Sequence, residues 1–416
     1  MRLSAAEDAF RQDIRQWLED NLTGEFAGLR GLGGPGREHE QFELRLAWNR
    51  HLAASGWACI GWPVEHGGRG ASLARQVTFH EEYARSGAPA RVGHMGEELL
   101  GPTLIALGTP AQQARFLPPI AAADELWCQG YSEPGAGSDL ASVSTTAVLD
   151  GDDWVISGQK VWTSLATVAD WCFLLARTEP GSRRSAGLSY LLVPMRQPGI
   201  TVRPIRQLTG TSEFNEVFFD GARTARDLVV GRPGDGWRVA MATLAIERGV
   251  STLGQQVGYQ REFDALVAAA RRIGAARDPL LRDRLARAWI GLQVMRAQVV
   301  AMLDGSLRNG GAAVAADQTS AADQTGTAGP AGAAGSAADA SVVKLLWSRW
   351  HRDFGALAMD VLGASSMLAR GTPYELDDWQ RLHLFSRADT IYGGSQEIQL
   401  GIIAERALGL PRQARP

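Results

Sequence analysis

The sequence predicts an α+β protein of several domains, in which a β-rich middle region separates two helical regions. The length is one reason, because 416 residues are too many for one compact core. The hydrophobic periodicity is the other: it is helical up to residue 127, alternates over 129–220, and becomes helical again from Gly236. We therefore expect an N-terminal α-helical domain at 1–127, a β domain at 128–234 and a C-terminal α-helical domain at 235–416.

The N-terminal region has the pattern of successive amphipathic helices. Phe10, Ile14 and Leu18 recur at helical spacing in the first of them, and Thr109-Pro110 is a helix-start signal for a later one. Acidic residues throughout the first helix distinguish it from a signal peptide. No apolar run reaches the roughly 18–20 residues that a membrane helix needs. We expect a cytoplasmic protein.

Composition excludes several classes of protein. The net charge is −3 and the pI about 6.2, which gives no indication of binding to nucleic acid or an anionic membrane. Three cysteines (Cys59, Cys128 and Cys172) are widely spaced, which excludes a disulfide framework and fits a reduced compartment. We expect all three to be buried as small hydrophobic residues. No spacing of histidine, cysteine and aspartate resembles a zinc site, so no metal is predicted.

The middle region contains short β-rich runs joined by polar or Gly/Pro-rich connections. Such a pattern predicts an antiparallel barrel or sandwich. The runs are Ser144–Leu149, Trp154–Ile156, Trp171–Arg177, Leu188–Val193, Ile200–Pro204 and Asn215–Phe219.

One segment of the C-terminal region differs from its surroundings. Residues 309–341 are almost all Ala, Gly, Ser, Thr, Asp and Gln, and AADQT occurs at 315–319 and again at 321–325. Glycines and Pro330 interrupt the alanines, and no side chain there is large enough to form a core. We predict a flexible surface insertion between two helices.

The sequence that organises the chain is a glycine turn, residues 132–138 (SEPGAGS). Pro134 fixes one dihedral angle, and Gly135 and Gly137 can take positive φ, so backbone N–H groups can converge on a flat or anionic ligand. A tight surface loop is the alternative. The strand-like runs that follow, Ala147–Leu149 and Trp154–Ser164, are joined by the hairpin signal Asp150–Asp153 and place an aromatic ring and two hydroxyls at a sheet edge near the turn.

YSEPGAGSD (131–139) followed by SGQKVWTS (157–164) resembles the flavin-binding signature of the acyl-CoA dehydrogenase family. The resemblance covers nearly the whole chain apart from the insertion. It implies a C-terminal four-helix bundle, with FAD held between the bundle and the β domain. It also implies α,β-dehydrogenation of an acyl-CoA, in which a carboxylate removes the α-proton and hydride leaves Cβ for the flavin.

The resemblance also implies the site residues. TIYGGSQEIQLGIIAERALGLP (390–411) is similar to the family's second flavin and substrate motif, and its Gln396 is one of the matching cofactor contacts. The acyl-CoA would meet Ser138, Arg248, Gly393 and Gly394. The remaining cofactor contacts would be Gln129, Tyr131, Ser132, Gly137, Ser138, Trp162, Thr163, Ser164, Ser395 and Glu397.

The catalytic base is the main departure from the family pattern. Many members place a glutamate directly after the tyrosine of the second motif, where this chain has Gly393. A second branch carries its glutamate on a bundle helix, immediately before an arginine, and here Glu247 precedes Arg248. An acid on a mostly apolar helix is costly to bury without purpose, so we predict Glu247 as the base. The alternatives are an internal Glu247–Arg248 ion pair and an inactive chain.

A second departure concerns assembly. In homotetrameric members, an Arg-x-x-Phe-Gly motif and a Gln-x-x-Gly-Gly loop of a neighbouring subunit contact FAD. Here they align with residues 260–264, in which the arginine is displaced, and 360–364, in which an acid begins the loop. An α2β2 assembly with a related subunit would supply these contacts, and a homotetramer or homodimer is the alternative.

The resemblance implies an electron-transferring flavoprotein as acceptor. The overall pattern is most similar to actinobacterial members, some of which act on bulky, steroid-derived acyl-CoAs. An acyl-CoA oxidase and a non-catalytic partner subunit are the rival interpretations.

Overall fold

The structure is a computed structural model that describes residues 5–247, 251–308, 331–369 and 375–411. Ile14 and Leu18, which are one helical turn apart, are each 1% exposed, as the periodicity predicts. They belong to a core that extends through Trp48 and Phe79 into the β region. The helices of the N-terminal region are α1 (Ala5–Asn21), α2 (Phe42–Ala54), α3 (Leu73–Ser86), α4 (Gly101–Leu107) and α5 (Pro110–Ala121).

The described strands of the middle region form one sheet. Its order is β6-β7-β3-β2-β4-β5-β8, with β1 paired to β4. All pairs are antiparallel except that β1 and β2 each run parallel to β4, so the sheet is mixed rather than purely antiparallel. Alternating hydrophobicity gives the face of each residue but not the direction of a neighbouring strand, which is why the sequence did not reveal this. The strands are β1 (Trp127–Gly130), β2 (Thr146–Asp150), β3 (Asp153–Ser164), β4 (Trp171–Arg177), β5 (Leu188–Pro194), β6 (Ile200–Ile205), β7 (Phe214–Ala225) and β8 (Val229–Val230).

The C-terminal region is helical and has its own core around Phe263, Trp347 and Phe354. The described order of helical, β and helical regions confirms the predicted fold class. Within the described ranges, no helix is long and apolar enough to cross a membrane. The helices are α6 (Gly236–Glu247), α7 (Ser251–Arg272), α8 (Pro279–Arg308), α9 (Ala331–Leu362), α10 (Asp378–Phe385) and α11 (Gln396–Ile402).

The predicted insertion at 309–341 needs a correction at its C-terminal side. Helix α9 begins at Ala331, and Ser341 is already fully buried. The small residues from Ala331 onward are mostly alanines, whose helix propensity is high enough for them to extend the helix. Residues 309–330 lie outside the described part of the chain.

The prediction for the cysteines is confirmed. Cys59, Cys128 and Cys172 are all buried and none forms a disulfide. Cys128 and Cys172 lie opposite one another on the parallel strands β1 and β4. Gly130 ends β1, and a Cβ there would lie only 2.7 Å from the Cys172 sulfur, so the close approach of these strands requires glycine.

Candidate functional site

The glycine turn is closed by two backbone hydrogen bonds between Glu133 and Ala136, each 3.0 Å long. Gly135 and Gly137 do not have positive φ, so the conformation expected for them is wrong. A Cβ at either position would nevertheless meet no atom within 4 Å. Both glycines are exposed, so their small size leaves open space beside the turn instead of relieving strain in it.

A buried ion pair anchors the turn to strand β3. The Lys160 ammonium donates to a Glu133 carboxylate oxygen at 2.8 Å and to the backbone oxygen of Tyr131 at 2.9 Å. The carboxylate also accepts from the N–H and hydroxyl of Ser144, at 2.6 and 2.7 Å, and from the N–H of Thr145, at 2.9 Å. The turn is therefore held by one charged pair and four further hydrogen bonds.

The environment shifts both pKa values of this pair. Burial opposes ionisation of Glu133, but the charge and hydrogen bond of Lys160, with those of Thr145 and Ser144, lower its pKa to about 2. Burial lowers the pKa of Lys160 to about 8, against the opposing effect of Glu133. The pKa of Glu133 is low because its carboxylate accepts several hydrogen bonds and faces Lys160, so Glu133 is ionised at neutral pH.

The turn and the second half of the motif are directly bonded. The N–H of Val161 donates to the backbone oxygen of Ser132 at 2.9 Å. A bulge between Lys160 and Thr163 follows, and within it Trp162 adopts a φ of +62°. The Trp162 side chain is 57% exposed, and its ring lies edge-on to the ring of Phe214, with the ring centres 6.1 Å apart. A strained backbone presenting a large ring to solvent is typical of a ligand-binding position.

The buried polar atoms that have no hydrogen-bond partner among the described residues include the side-chain nitrogen Nε2 of Gln129 and the hydroxyl oxygen of Thr163. Both residues were predicted as cofactor contacts. The backbone oxygen of Thr163 is already bonded to the Asn215 amide at 2.9 Å, so Thr163 is positioned while its hydroxyl remains available. Buried groups of this kind usually have a partner, which a ligand can supply.

Hydroxyl groups link Tyr131, at the start of the first motif, to helix α6 through Tyr190. The Thr243 hydroxyl lies 3.0 Å from that of Thr103 in α4 and 3.4 Å from that of Tyr190 in β5. The Tyr190 hydroxyl also hydrogen-bonds with the Tyr131 side chain, and burial raises its pKa. Thr243 is one helical turn before Glu247, which ends α6. These contacts place the last turn of α6 near Tyr131.

The structure describes only part of the predicted base and its neighbour. Glu247 belongs to α6, but its side chain is outside the described part of the chain, and so is the whole of Arg248. The roles predicted for them stay predictions.

The C-terminal motif forms a turn before helix α11. Gly393 and Gly394 have φ of +63° and +92°, a region that only glycine occupies readily. The Gln399 amide donates to their backbone oxygens, at 3.1 and 3.3 Å. The Ser395 hydroxyl caps α11 by accepting from the N–H of Ile398 at 3.5 Å. Helix α11 packs against α9.

The structure therefore brings together part of the predicted site. The segments 129–138 and 162–164 are held next to one another by the hydrogen bond from Val161 to Ser132 and by the contacts of Lys160 with Tyr131 and Glu133. The described contacts of Ser395 and Glu397 are with their own motif and the bundle, so they form a separate group.

The predicted site omitted residues that hold it together. Glu133 and Lys160 lie in the two halves of the first signature, and Gln399 lies within the C-terminal motif. An acid and a lysine in two runs that were predicted to adjoin could have been paired from the sequence. Gln399 gave no such signal, because only the turn geometry shows what its amide contacts.

The two segments predicted to have weakened contacts with a neighbouring subunit are engaged within the chain. Arg261 donates to the backbone oxygen of Ala84 at 3.3 Å. Asp360 pairs with Arg284 at 2.7 Å, so its negative charge is partly balanced.

Comparison with known proteins gives a consistent result over the whole chain. Residues 4–124, 128–222 and 234–408 match the N-terminal, middle and C-terminal domain models of acyl-CoA dehydrogenase. Acyl-CoA dehydrogenase IpdE1 of Mycobacterium tuberculosis is 63% identical over 408 residues, which are 98% of this chain and 99% of the relative.

Two solved structures are similar along their full length. One is the Tcur3481-Tcur3483 steroid ACAD, with a TM-score of 0.79, 30% identity and 99% of each chain covered. The other is the ChsE4-ChsE5 complex from Mycobacterium tuberculosis, with a TM-score of 0.75 and 28% identity, covering 99% of this chain and 100% of that one.

Proposed function

The chain belongs to the acyl-CoA dehydrogenase family, and on this premise we propose that it catalyses FAD-dependent α,β-dehydrogenation of an acyl-CoA to the trans-2-enoyl-CoA. The observation that carries the proposal is the anchored glycine turn. Its Glu133–Lys160 pair fixes a surface on which Gln129 Nε2 and the Thr163 hydroxyl have no partner among the described residues.

The residues of this surface fit FAD. The ring edge of a flavin carries nitrogen and oxygen atoms, which Gln129 Nε2 and the Thr163 hydroxyl can hydrogen-bond. Trp162 offers an exposed aromatic ring, and the open space at Gly135 and Gly137 admits a ligand close to the backbone. Bound there, FAD would supply a two-electron acceptor for the hydride leaving Cβ. Tyr131, Ser132, Ser138 and Ser164 complete the proposed cofactor contacts.

We propose that three residues of the C-terminal motif, Ser395, Gln396 and Glu397, also contact the cofactor. Their separation from the sheet surface is compatible with FAD, which is long enough to touch two groups.

Glu247 is the proposed base. The α-proton of a thioester is weakly acidic, so its removal requires a positioned carboxylate and hydrogen bonds to the thioester oxygen. Support comes from α6, whose Thr243 contacts Tyr190 and through it Tyr131. Gly393 leaves room where other members carry a glutamate, and its N–H can donate to the thioester oxygen. Arg248, Ser138 and Gly394 are the other proposed substrate contacts.

The proposed substrate is a bulky, ring-bearing acyl-CoA. Its support is the similarity to a structure described as a steroid ACAD, together with a base on the bundle helix. Because fold similarity alone does not define a substrate, a panel of acyl-CoAs is required. Butanoyl-, octanoyl- and hexadecanoyl-CoA represent straight chains, and 3-cyclohexylpropanoyl-CoA represents a ring.

We further propose an α2β2 assembly with a related subunit and an electron-transferring flavoprotein as acceptor. Both similar structures are named as two-component proteins. Arg261 and Asp360 are engaged within the chain, which leaves those family contacts to another subunit. A homotetramer that binds one FAD tightly per chain when expressed alone would contradict this assembly.

Gly393 also favours a second candidate, a non-catalytic partner subunit. Replacement of Glu247 by Gln separates the two: it abolishes flavin bleaching by acyl-CoA if Glu247 is the base and changes nothing if the chain is non-catalytic. Turnover with a ferrocenium acceptor, compared with oxygen, distinguishes a dehydrogenase from an acyl-CoA oxidase.

A further inference from the structure

His351 of helix α9 lies between two carboxylates that come from different parts of the bundle. Its ring nitrogen Nδ1 is 2.5 Å from an Asp389 oxygen, and Nε2 is 3.1 Å from a Glu262 oxygen. Glu262 belongs to α7, and Asp389 lies in a short 3-10 turn between α10 and α11. The His351 side chain is 12% exposed, so water contributes little to this arrangement.

The geometry requires a doubly protonated ring. An ionised carboxylate only accepts hydrogen bonds, so each ring nitrogen must carry a proton to bond its partner. Burial alone would lower the pKa of His351, but hydrogen bonds with Asp389 and Glu262 outweigh it and raise the pKa to about 10. The other ionisable groups around the ring are Tyr259 of α7, Tyr392 and, on α9 itself, Lys344.

Asp389 transmits this arrangement to the turn that contains Gly393. Its second carboxylate oxygen accepts from the Tyr392 hydroxyl at 2.7 Å. Its backbone oxygen accepts from the Lys344 ammonium at 2.8 Å, and that ammonium also lies 4.5 Å from the centre of the Tyr392 ring. Because Tyr392 directly precedes Gly393, its side chain fixes where the turn begins.

The other end of the turn is held by Gln399, whose amide contacts the backbone oxygens of Gly393 and Gly394. Two consecutive glycines with positive φ have many alternative conformations, so these contacts at both ends select one of them. The selected conformation fixes the direction of the Gly393 N–H.

We propose that His351 is a positioning residue: as an imidazolium it holds the turn from Tyr392 to Gly394 so that the Gly393 N–H donates to the thioester oxygen of a bound acyl-CoA. This inference rests on the proposed function. His351 does not itself touch the substrate. It acts through Asp389 and Tyr392, and its contribution is therefore to the orientation of one hydrogen-bond donor.

The test is the carbonyl stretching band of a bound thioester, measured by isotope-edited infrared spectroscopy. The full-length protein is purified with FAD and any subunit that copurifies, and the probe is the 1-13C form of whichever acyl-CoA in the panel bleaches the wild-type flavin. A hydrogen bond to the carbonyl oxygen lowers this frequency. We expect His351→Gln to return the band toward its value in water, because glutamine presents an oxygen to one of the two carboxylates.

Kinetics provide a second readout. We expect kcat to fall about 10- to 100-fold in His351→Gln, with a much smaller change in KM, because the misplaced donor acts mainly in the transition state. In the double variant His351→Gln/Glu262→Gln, the new amide at 262 can donate to the glutamine at 351, which frees its own amide for Asp389. We expect this variant to recover both the band and kcat. His383→Gln, a change elsewhere in the bundle, is the matched control.

Each outcome decides the proposal. If His351→Gln does not fold, Tyr392→Phe removes the same link at the Asp389 side and should shift the band in the same direction. An unshifted band in the folded variants overturns the positioning role while leaving the proposed function intact. A wild-type protein whose flavin no member of the panel bleaches overturns both.

Discussion

The ammonium of Lys160 in strand β3 lies 2.8 Å from the carboxylate of Glu133 in the glycine turn, and both side chains are almost fully buried. The pair joins the two halves of the motif, and its two residues are 27 positions apart in sequence. A buried ion pair contributes little by itself to stability, but removal of one partner leaves an uncompensated charge. Its importance is therefore to hold the turn in one conformation.

Lys160→Met should destabilise the protein by about 3–5 kcal/mol, because it leaves the Glu133 carboxylate buried without its countercharge. The free energy of unfolding from urea denaturation measures this. The FAD content of the purified variant, from the ratio of flavin to protein absorbance, should fall as well. Arg223→Met removes an exposed ion pair with Asp150 on the same sheet and should leave both quantities nearly unchanged. Equal effects of the two substitutions would contradict the anchoring role.

Because of the Glu133–Lys160 pair, we expect the free energy of unfolding to depend on pH in the acid range. Glu133 has a pKa of about 2 in the folded protein against an ordinary value of 4.5, so its contribution is fully present above pH 4.5 and is lost as the pH falls through 2. A shift of this size corresponds to about 3 kcal/mol. Urea denaturation at pH 6, 4 and 3 should show a smaller loss in Glu133→Gln than in the wild type. Parallel curves for the two proteins would show that the carboxylate is not perturbed.

Gly394→Ala should disturb the second motif. Its φ is +92°, and an added Cβ would lie 2.3 Å from the Gln399 amide nitrogen. We expect a loss of stability of about 1–2 kcal/mol and a rise in KM for acyl-CoA. Gly401→Ala is the matched control, since it lies in helix α11 with open space around it and should stabilise the protein by about 0.5–1 kcal/mol. Thermal unfolding of both variants measures the difference. A change in thermal stability in the same direction for both substitutions would contradict the constraint on Gly394.

We expect Trp162→Gly to weaken FAD binding without lowering the stability of the folded protein. The ring is largely exposed and the backbone has positive φ, so glycine should leave the thermal stability of the FAD-free protein unchanged or higher. Affinity for FAD should fall at least tenfold, because the aromatic contact is lost. Titration of the FAD-free protein with FAD, followed by tryptophan and flavin fluorescence, provides the measurement. Trp289→Ala, which removes another half-exposed tryptophan on α8, is the control. Unchanged FAD affinity in Trp162→Gly would remove Trp162 from the site.

Some of the site could be predicted from sequence because its contacts are local. Gln129 lies just before the first motif, and Trp162 and Thr163 lie in the second. The two motifs are close in sequence and are joined directly, since the N–H of Val161 donates to the backbone oxygen of Ser132. The roles of His351 and Gln399 could not be predicted in this way. His351 acquires its role from Glu262 and Asp389, which are 89 and 38 residues away, and no local pattern encodes such a contact. The direction of β1 beside β4 is equally a matter of long-range packing.

For the fold, too, local features could be predicted from the sequence and others could not. Helical spacing identified the buried face of α1, because burial follows directly from periodicity there. The start of α9 at Ala331 was missed because a segment of small residues has no hydrophobic face to mark it. Glycine conformation in the turn was also mispredicted, since Gly135 and Gly137 leave open space without taking positive φ.

The most direct test of the proposed dehydrogenase activity compares flavin bleaching in the wild type and in Glu247→Gln, under anaerobic conditions, with the acyl-CoA panel. We expect rapid loss of flavin absorbance in the wild type with at least one acyl-CoA. We also expect a bleaching rate at least about 1,000-fold lower in Glu247→Gln at equal FAD content, since proton abstraction requires the carboxylate. Equal bleaching rates in the two proteins would contradict the assignment of Glu247 as the base. No bleaching in the wild type by any member of the panel would contradict the proposed dehydrogenase activity.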